Sequence, residues 1–165
     1  MRLNLREIIN IPGGRVDFDY MPDFGDISFE QLSEFILPVK SQGSVNNIAG
    51  MLELSAEINA DVKCVCARCL REFQTEVNIP VKATIVESAQ DEDDPDLFFL
   101  DGDFVDLDEI IVTAFVLNIE QRFLCSEDCK GLCEKCGTDL NKGPCKCKAE
   151  IDPRLAVLGQ LLENE

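Results

Sequence analysis

Eight of the nine cysteines in this chain fall into four closely spaced pairs, a pattern typical of metal ligands. Two pairs have two intervening residues, one has three and one has a single residue. Such spacing lets one turn direct two thiolates at a single ion, and two such turns supply the four ligands of tetrahedral zinc. The pairs are Cys66 and Cys69, Cys125 and Cys129, Cys133 and Cys136, and Cys145 and Cys147.

The two C-terminal pairs give the stronger local signal, because a glycine-rich loop separates them. Gly137 directly follows Cys136 and frees the backbone to turn its amides toward the sulfurs. We therefore predict one zinc site from Cys133, Cys136, Cys145 and Cys147. The other four, Cys66, Cys69, Cys125 and Cys129, could form a second zinc site, which needs the hairpin tip to meet the end of the second predicted helix. The chain contains no histidine, so neither site can use an imidazole ligand.

The same thiols could instead serve redox chemistry or hold an iron–sulfur cluster. Cys66 and Cys69 could form a redox pair, since the cation of Arg68 would favour a thiolate. Four of the cysteines could instead hold an iron–sulfur cluster. Cys64 is the unpaired ninth cysteine, and its place in an alternating apolar pattern predicts a thiol in the core.

Enzymatic activity is not predicted. Without histidine, neither a Ser-His-Asp nor a Cys-His arrangement can form. The sequence has no phosphate-binding glycine-rich loop, and its abundant carboxylates form a run rather than a paired constellation. A zinc ion held by four cysteines has no open coordination position for a substrate.

The elements that must position these cysteines begin with a long β-hairpin. Apolar and polar residues alternate from Leu52 to Cys66 and again from Phe73 to Ile85, which is the period of a strand with one buried face. The connection between the two strands places Cys66 and Cys69 at the tip of the hairpin. Pro80 lacks a backbone donor and therefore indicates an edge position in the second strand.

Three short helices are predicted around this hairpin. The first is capped by Ser28 and ends before Pro38, with an apolar stripe of Phe29, Leu32, Phe35 and Ile36. The second is capped by Asp106, with Glu109 as its capping-box partner, and should be buried because it is apolar almost all round. The third is a short amphipathic helix that begins at Asp152.

The remaining segments define the predicted architecture. Residues 42–47 predict a loop, and the acidic residues 91–96 predict a solvated loop. After residue 121, too few large apolar residues remain to form a core, so metal should order that region. We predict an α+β fold, with an antiparallel sheet built on the long hairpin, a few short helices and a C-terminal all-cysteine zinc module. The predicted units are an α+β body at 1–121, a zinc-knuckle module at 122–150 and a C-terminal helix at 151–165.

The charge of the chain restricts its partners. The formal net charge is −17, from 15 basic and 32 acidic side chains, so most of the surface should repel nucleic acid. The basic residues concentrate near the hairpin tip and in the zinc module, where they could form a patch that contacts RNA. Alternatively, they could offset the negative charge of the thiolates. The candidate contact residues are Arg68, Arg71, Lys130, Lys135, Lys142, Lys146 and Lys148.

Neither membrane insertion nor secretion is predicted. No run of 18 apolar residues is present, and the first 15 residues lack the apolar core of a secretory signal. We therefore expect a cytoplasmic location, and neither a membrane partner nor a small-molecule substrate.

The chain resembles the YceD family in motifs that span most of its length. These motifs are Cys66-Ala-Arg-Cys69-Leu70 before Phe73, Cys125-Ser-Glu-Asp-Cys129-Lys-Gly131-Leu132-Cys133, Cys136-Gly137, Leu140-Asn141 and the terminal Pro153-Arg154-Leu155-Ala156-Val157-Leu158. The resemblance implies a non-enzymatic cytosolic factor of bacteria or plastids that is needed for 23S ribosomal RNA to accumulate. The family motif carries over onto Cys66, Arg68, Cys69, Cys125 and Cys129.

Three functional hypotheses follow from the residues and the resemblance together. The first is a factor for large ribosomal subunit biogenesis that contacts 23S precursor RNA through the basic zinc region. The second is an acidic chaperone that binds a basic ribosomal protein, since family genes commonly neighbour the gene of a small basic protein of the large subunit. The third is a thiol-redox or iron–sulfur protein.

Overall fold

Two long strands dominate the computed structural model, which describes residues 1–25, 27, 29, 32–87 and 97–147. Both strands are predicted by the alternating sequence, because each buries every second side chain. In chain order the elements are β1 (Arg2–Asn4), β2 (Arg15–Tyr20), β3 (Leu32–Phe35), β4 (Lys40–Ile48), β5 (Met51–Val65), β6 (Glu72–Val86), β7 (Leu97–Phe99), β8 (Phe104–Asp106) and α1 (Leu107–Asn118).

The hairpin of β5 and β6 forms the centre of a mostly antiparallel sheet. The two strands pair from Leu52 opposite Ile85 to Val65 opposite Glu72. The strand order is β2-β4-β5-β6-β7, with β3 pairing with β5 off this path, and among the described strands only β6 and β7 run parallel. A separate two-stranded sheet joins β1 to β8. The predicted α+β class with a central hairpin is confirmed at this level.

Helix α1 covers the buried face of the sheet. Its N-cap is Asp106, as predicted, and the carboxylate accepts a hydrogen bond from the backbone N–H of Asp108 (3.0 Å). Ile110, Ile111 and Phe115 are fully buried. The ring of Phe115 meets a cluster of aromatic rings, with its centroid 4.9 Å from that of Phe24. The helix therefore supplies the apolar layer that the sheet needs on one side.

The helix predicted after Ser28 is wrong over Leu32 to Phe35, which form strand β3. These residues pair with β5 beyond the end of β4, with Phe35 opposite Val62. A helix this short has a costly nucleus, whereas an unpaired edge of β5 offers backbone partners at once. The rings of the predicted stripe still pack inward, since the centroid of Phe35 lies 5.9 Å from that of Phe115.

The loop predicted at residues 42–47 is also wrong, because these residues belong to β4. Their composition is poor for a strand, but pairing with the long strand β5 supplies the ladder that overrides propensity. Gly43 fits the close approach of the two strands, as a Cβ there would lie 2.6 Å from the Cβ of Ala56. Asn47 is buried and donates hydrogen bonds to the carbonyls of Ile8 and Ile9 (2.7 and 2.8 Å), which fastens the N-terminal segment to the sheet.

The region after α1 contains little regular structure. Between Ile119 and Cys147 it forms turns and one isolated bridge, from Leu132 to Asp139. The predicted C-terminal helix and the predicted acidic loop lie outside the described residues, and the division into three units stays a prediction. No helix in the described part of the chain is long and apolar enough to span a membrane.

Candidate metal centre

The structure brings eight cysteines together in two groups of four. Within each group, all four sulfurs lie within 4.8 Å of one another, so each group could hold a metal ion. We call the first group the junction cluster; it consists of Cys66, Cys69, Cys125 and Cys129. We call the second group the knuckle cluster; it consists of Cys133, Cys136, Cys145 and Cys147. These are the two sets of residues that the sequence singles out.

The sulfur separations in the junction cluster match those around a tetrahedral ion. The sulfur of Cys66 lies 3.8 Å from that of Cys129, and the sulfur of Cys69 lies 3.6 Å from that of Cys125. A disulfide needs about 2.05 Å between sulfurs. Four sulfurs at about 2.3 Å from a tetrahedral zinc lie about 3.8 Å apart. The residues therefore fit a zinc ion, and no disulfide joins the two segments.

Backbone hydrogen bonds at the hairpin tip set the first pair of the junction cluster. The N–H of Leu70 donates to the carbonyl of Cys66 (2.9 Å), and Leu70 adopts a φ of 57°, which closes the turn. The N–H of Ala67 donates to the carbonyl of Phe123 (2.9 Å), in the segment that follows α1. This bond holds the hairpin tip against the segment that carries the second pair.

Two arginines of the tip reach the same segment. The guanidinium of Arg68 donates to the carbonyl of Cys129 (2.9 Å), and that of Arg71 donates to the sulfur of Cys125 (3.2 Å). A cation that donates to a thiolate stabilises its negative charge. Both arginines are candidate partner contacts in the sequence, and the structure engages both within the junction.

The electrostatics of the junction cluster favour some thiolates and oppose others. Burial disfavours a charged Cys66, but backbone N–H groups that donate to its sulfur lower its pKa to about 6. Burial also opposes a charged Cys129, yet the N–H of Gly131 and the amide of Asn141 lower its pKa. The N–H of Arg71 favours a charged Cys69, but burial and the neighbouring sulfurs raise its pKa to about 12. A divalent cation would remove this repulsion and allow all four thiolates.

The knuckle cluster has the turn geometry of a metal knuckle on a more exposed surface. The N–H of Gly137 donates to the carbonyl of Cys133 (2.8 Å), and its φ of 70° turns the chain there. The hydroxyl and backbone N–H of Thr138 lower the pKa of Cys136 to about 6. The sulfur of Cys145 lies 3.4 Å from that of Cys133. Cys136 and Cys147 are exposed, whereas three of the four junction cysteines are buried.

Two polar residues that contact cysteine sulfurs of the clusters are not predicted from the sequence. The side chain of Asn141 donates to the sulfur of Cys129 (3.5 Å) and accepts from the backbone N–H of Lys130 (2.8 Å). The hydroxyl of Thr138 lies 3.1 Å from the sulfur of Cys136. Their only sequence signal is a polar residue between two cysteine pairs, and many solvated loops share that feature.

The basic residues of the knuckle region differ in their surroundings. Lys130, Lys142 and Lys146 are exposed. The ammonium of Lys142 lies 3.9 Å from the carboxylate of Asp139. Lys135 is exposed and has an interaction partner, and Lys148 lies outside the described residues.

Cys64 lies apart from both clusters. It is fully buried in β5, and burial, followed by the charge of Glu120, raises the pKa of its thiol to about 11. The strand parity therefore predicts its place in the core correctly.

A glycine between the clusters yields a testable prediction. A Cβ on Gly131, whose φ is 72°, would lie 2.9 Å from the carbonyl oxygen of Arg68, whereas one on Gly137, at φ 70°, would have nothing within 4 Å. Alanine at either position costs about 1–2 kcal/mol for the left-handed backbone. We expect Gly131→Ala to lower the free energy of unfolding by at least about 1 kcal/mol more, because of this clash. Urea denaturation of both variants measures the difference, and equal losses would contradict a tight contact between Gly131 and the tip.

Comparison with known proteins places these clusters in a family. A sequence model described as the large ribosomal RNA subunit accumulation protein YceD matches residues 54–162. An uncharacterized protein of Mycobacterium tuberculosis, Rv2926c, is 32% identical over 104 residues, which are 61% of this chain and 50% of that protein. YlbN of Bacillus subtilis is 22% identical over 169 residues, which cover 100% of this chain and 98% of that protein.

A plant relative carries the family name. The large ribosomal RNA subunit accumulation protein YCED homolog 1 of Arabidopsis thaliana, a chloroplast protein, is 38% identical over 61 residues, which are 36% of this chain and 19% of that protein. The chain spans about half the length of the mycobacterial relatives, and no solved structure matches it. The family model covers most of the chain and includes all eight clustered cysteines. The chain therefore belongs to the YceD family of large ribosomal RNA subunit accumulation proteins, which confirms the resemblance of its motifs.

Proposed function

We propose that this chain is a non-enzymatic factor that supports the accumulation of 23S ribosomal RNA and the assembly of the large ribosomal subunit. The observation that carries the proposal is the family match, because residues 54–162 include the hairpin tip, helix α1 and both cysteine clusters. A cytoplasmic location, or the equivalent compartment of a plastid, goes with this role. Neither a membrane nor a small-molecule substrate has a part in it.

The metal that suits both clusters is zinc in a structural role. Bound zinc would crosslink distant segments without redox chemistry, and four cysteines would leave it no open position. Sulfurs within 4.8 Å of one another suit one shared ion. An iron–sulfur cluster divides its four thiolates among two or four irons and so spreads the sulfurs farther apart. A redox pair at the tip is less favoured, because Cys66 and Cys69 lie close to sulfurs of the other segment (3.8 and 3.6 Å).

The proposed RNA-contacting surface surrounds the knuckle cluster, and we call this region, residues 130–147, the knuckle. Its exposed cations include Lys130, Lys135, Lys142 and Lys146, on a chain whose net charge is −17. A local positive surface on an acidic body can select one face for phosphates. Arg68 and Arg71 would support this surface indirectly, since they hold the junction in place.

A depletion experiment tests the function. Lowering the level of this protein in its source cells should decrease the ratio of 23S to 16S ribosomal RNA and cause precursor particles of the large subunit to accumulate. Sucrose-gradient profiles and RNA gels measure both. An unchanged ratio, with a normal level of large subunits, would contradict the proposed role.

A matched pair of variants tests the RNA surface. Lys130→Ala with Lys146→Ala should weaken binding to 23S fragments roughly tenfold at moderate salt, as expected for the loss of two phosphate contacts. Lys40→Ala with Lys82→Ala removes the same charge from exposed positions of β4 and β6, and should have less than about a twofold effect. Equal effects of the two pairs would show that the knuckle is not the contact surface.

A further inference from the structure

Within the described part of the chain, no strand pairs with the outer edge of β6 over most of its length. One side of β6 pairs with β5 throughout the hairpin. On the other side, β7 pairs only with Thr84, Ile85 and Val86, so no described strand lies beside residues 72–83. An open edge presents unpaired backbone donors and acceptors to a second chain.

The even-numbered residues of β6 direct their backbone groups toward this open edge. In an antiparallel pair, alternate residues bond to the partner strand and the others point away from it. Val86 fixes the parity, because its carbonyl accepts a hydrogen bond from the N–H of Leu100 on the β7 side (3.0 Å). Pro80, which has no N–H, falls in the same outward set. The outward set with both a donor and an acceptor therefore includes Gln74, Glu76 and Asn78.

A cavity of 370 Å³ runs beside this edge, between β6 and the chain that follows α1. Phe73, Val77, Phe123 and Leu124 contribute its apolar lining, and polar side chains such as Thr75, Asn78 and Asn118 line the rest. We call this cavity the β6 trough. Its volume and its mixed lining are those of binding sites that take one segment of a partner.

The rim of the β6 trough is acidic. Glu76 and Glu120 line it, both are exposed, and none of the described residues that line it is Lys or Arg. Glu76 also stands directly opposite Asp61 of β5, and like charges in this position repel. The nearby cation of Lys63 is engaged with Glu72 (3.0 Å). A positive charge brought by a partner would therefore relieve the repulsion.

We propose that the β6 trough binds an extended basic segment of a partner protein, which adds to the sheet as a further strand. Its backbone would pair with the outward groups of Gln74, Glu76 and Asn78. Side chains of an added strand alternate between the two faces of the sheet. Those on the face of Val77 meet the apolar part of the lining, and those on the face of Glu76 meet its carboxylate. The fitting sequence thus alternates apolar residues with Lys or Arg. Phosphates of RNA do not suit this rim, and the trough would bind such a segment whether or not the chain acts on ribosomal RNA.

Fluorescence anisotropy of the full-length, zinc-loaded chain tests the binding, with a labelled eight-residue peptide of alternating Lys and Val as the probe. We expect Glu76→Gln with Glu120→Gln to weaken the binding roughly tenfold. Glu53→Gln with Glu57→Gln removes the same charge from β5, outside the trough, and should weaken it less than about twofold. Equal losses of peptide affinity in the two double variants would show that only the overall negative charge attracts the peptide, and would overturn the proposal.

N-methylation of the probe tests the addition of a strand without changing the protein. Methyl groups on one alternate set of peptide nitrogens should abolish binding, and methyl groups on the other set should leave it nearly intact, because only one set faces β6. Hydrogen exchange at Gln74, Glu76 and Asn78 should slow when the peptide binds. Equal binding of both methylated peptides would overturn the proposal. So would the same protection produced by a 23S fragment alone, or by raised protein concentration alone, which would assign the edge to RNA or to a second copy of the chain.

Discussion

Alanine at Cys66 is expected to remove one of two zinc ions and to release the hairpin tip from the segment after α1, whereas alanine at Cys64 should leave the metal content unchanged. The two residues make a matched pair, because both are fully buried and lie two positions apart, Cys64 within β5 and Cys66 directly after its end. They differ in their neighbours, since only Cys66 belongs to a group of four sulfurs.

The difference in stability should be large. Structural zinc contributes about 10–16 kcal/mol of apparent binding energy in small zinc-dependent peptides, so losing one ligand of four should cost more than about 4 kcal/mol. Loss of the Cys64 sulfur leaves only a small cavity and should cost about 1–2 kcal/mol. Elemental analysis and urea denaturation measure both effects.

Zinc contents that differ from these expectations would change the ligand assignment. A loss of one zinc equivalent from Cys64→Ala would make Cys64 a ligand and displace one of the eight assigned residues. Full zinc content in Cys66→Ala would remove the junction cluster from the list of metal sites. Iron in the wild-type protein would revive the iron–sulfur alternative.

The part of the fold that the sequence predicts best is the hairpin. Its two strands are long, and each repeats the two-residue period many times, so one misplaced residue cannot change the interpretation. Helix α1 is predicted from the cap at Asp106 and the apolar run, which are local signals, although its β-branched residues also allow a strand. Strands β3 and β4 are not predicted, since each exists because β5 offers an edge to pair with. That information is tertiary and lies outside the segments themselves.

The candidate site, like the fold, is predicted from the sequence only where the signals are local. Turn spacing predicts which cysteines act as pairs, because two or three intervening residues fix the geometry within one turn. Which pairs share an ion depends on where the hairpin tip lies relative to the end of α1, and no local pattern encodes that position. The same holds for Arg68: its charge is visible in the sequence, but its hydrogen bond to the carbonyl of Cys129 exists only in the folded chain.

Zinc is expected to leave the two clusters at different rates. In the junction cluster, Cys66, Cys69 and Cys129 are 0%, 8% and 4% exposed, and hydrogen bonds from both arginines hold the surrounding chain. In the knuckle cluster, Cys136 and Cys147 are exposed, and the surrounding segment contains turns rather than strands. A chelator needs a ligand to open first, and exposed turns open with a much smaller free-energy cost than a buried junction.

Release into a coloured zinc chelator should therefore follow two phases of equal amplitude, with rates that differ by roughly tenfold or more. Cys136→Ala should abolish the fast phase and leave hydrogen-exchange protection of β5 and β6 unchanged, because the hairpin does not depend on the knuckle. Cys66→Ala should abolish the slow phase instead. Cys136→Ala could instead remove the slow phase or lower the hydrogen-exchange protection of the hairpin. Either result would show that the knuckle cluster stabilises the hairpin, and that exposure of the cysteines does not by itself determine which cluster releases zinc first.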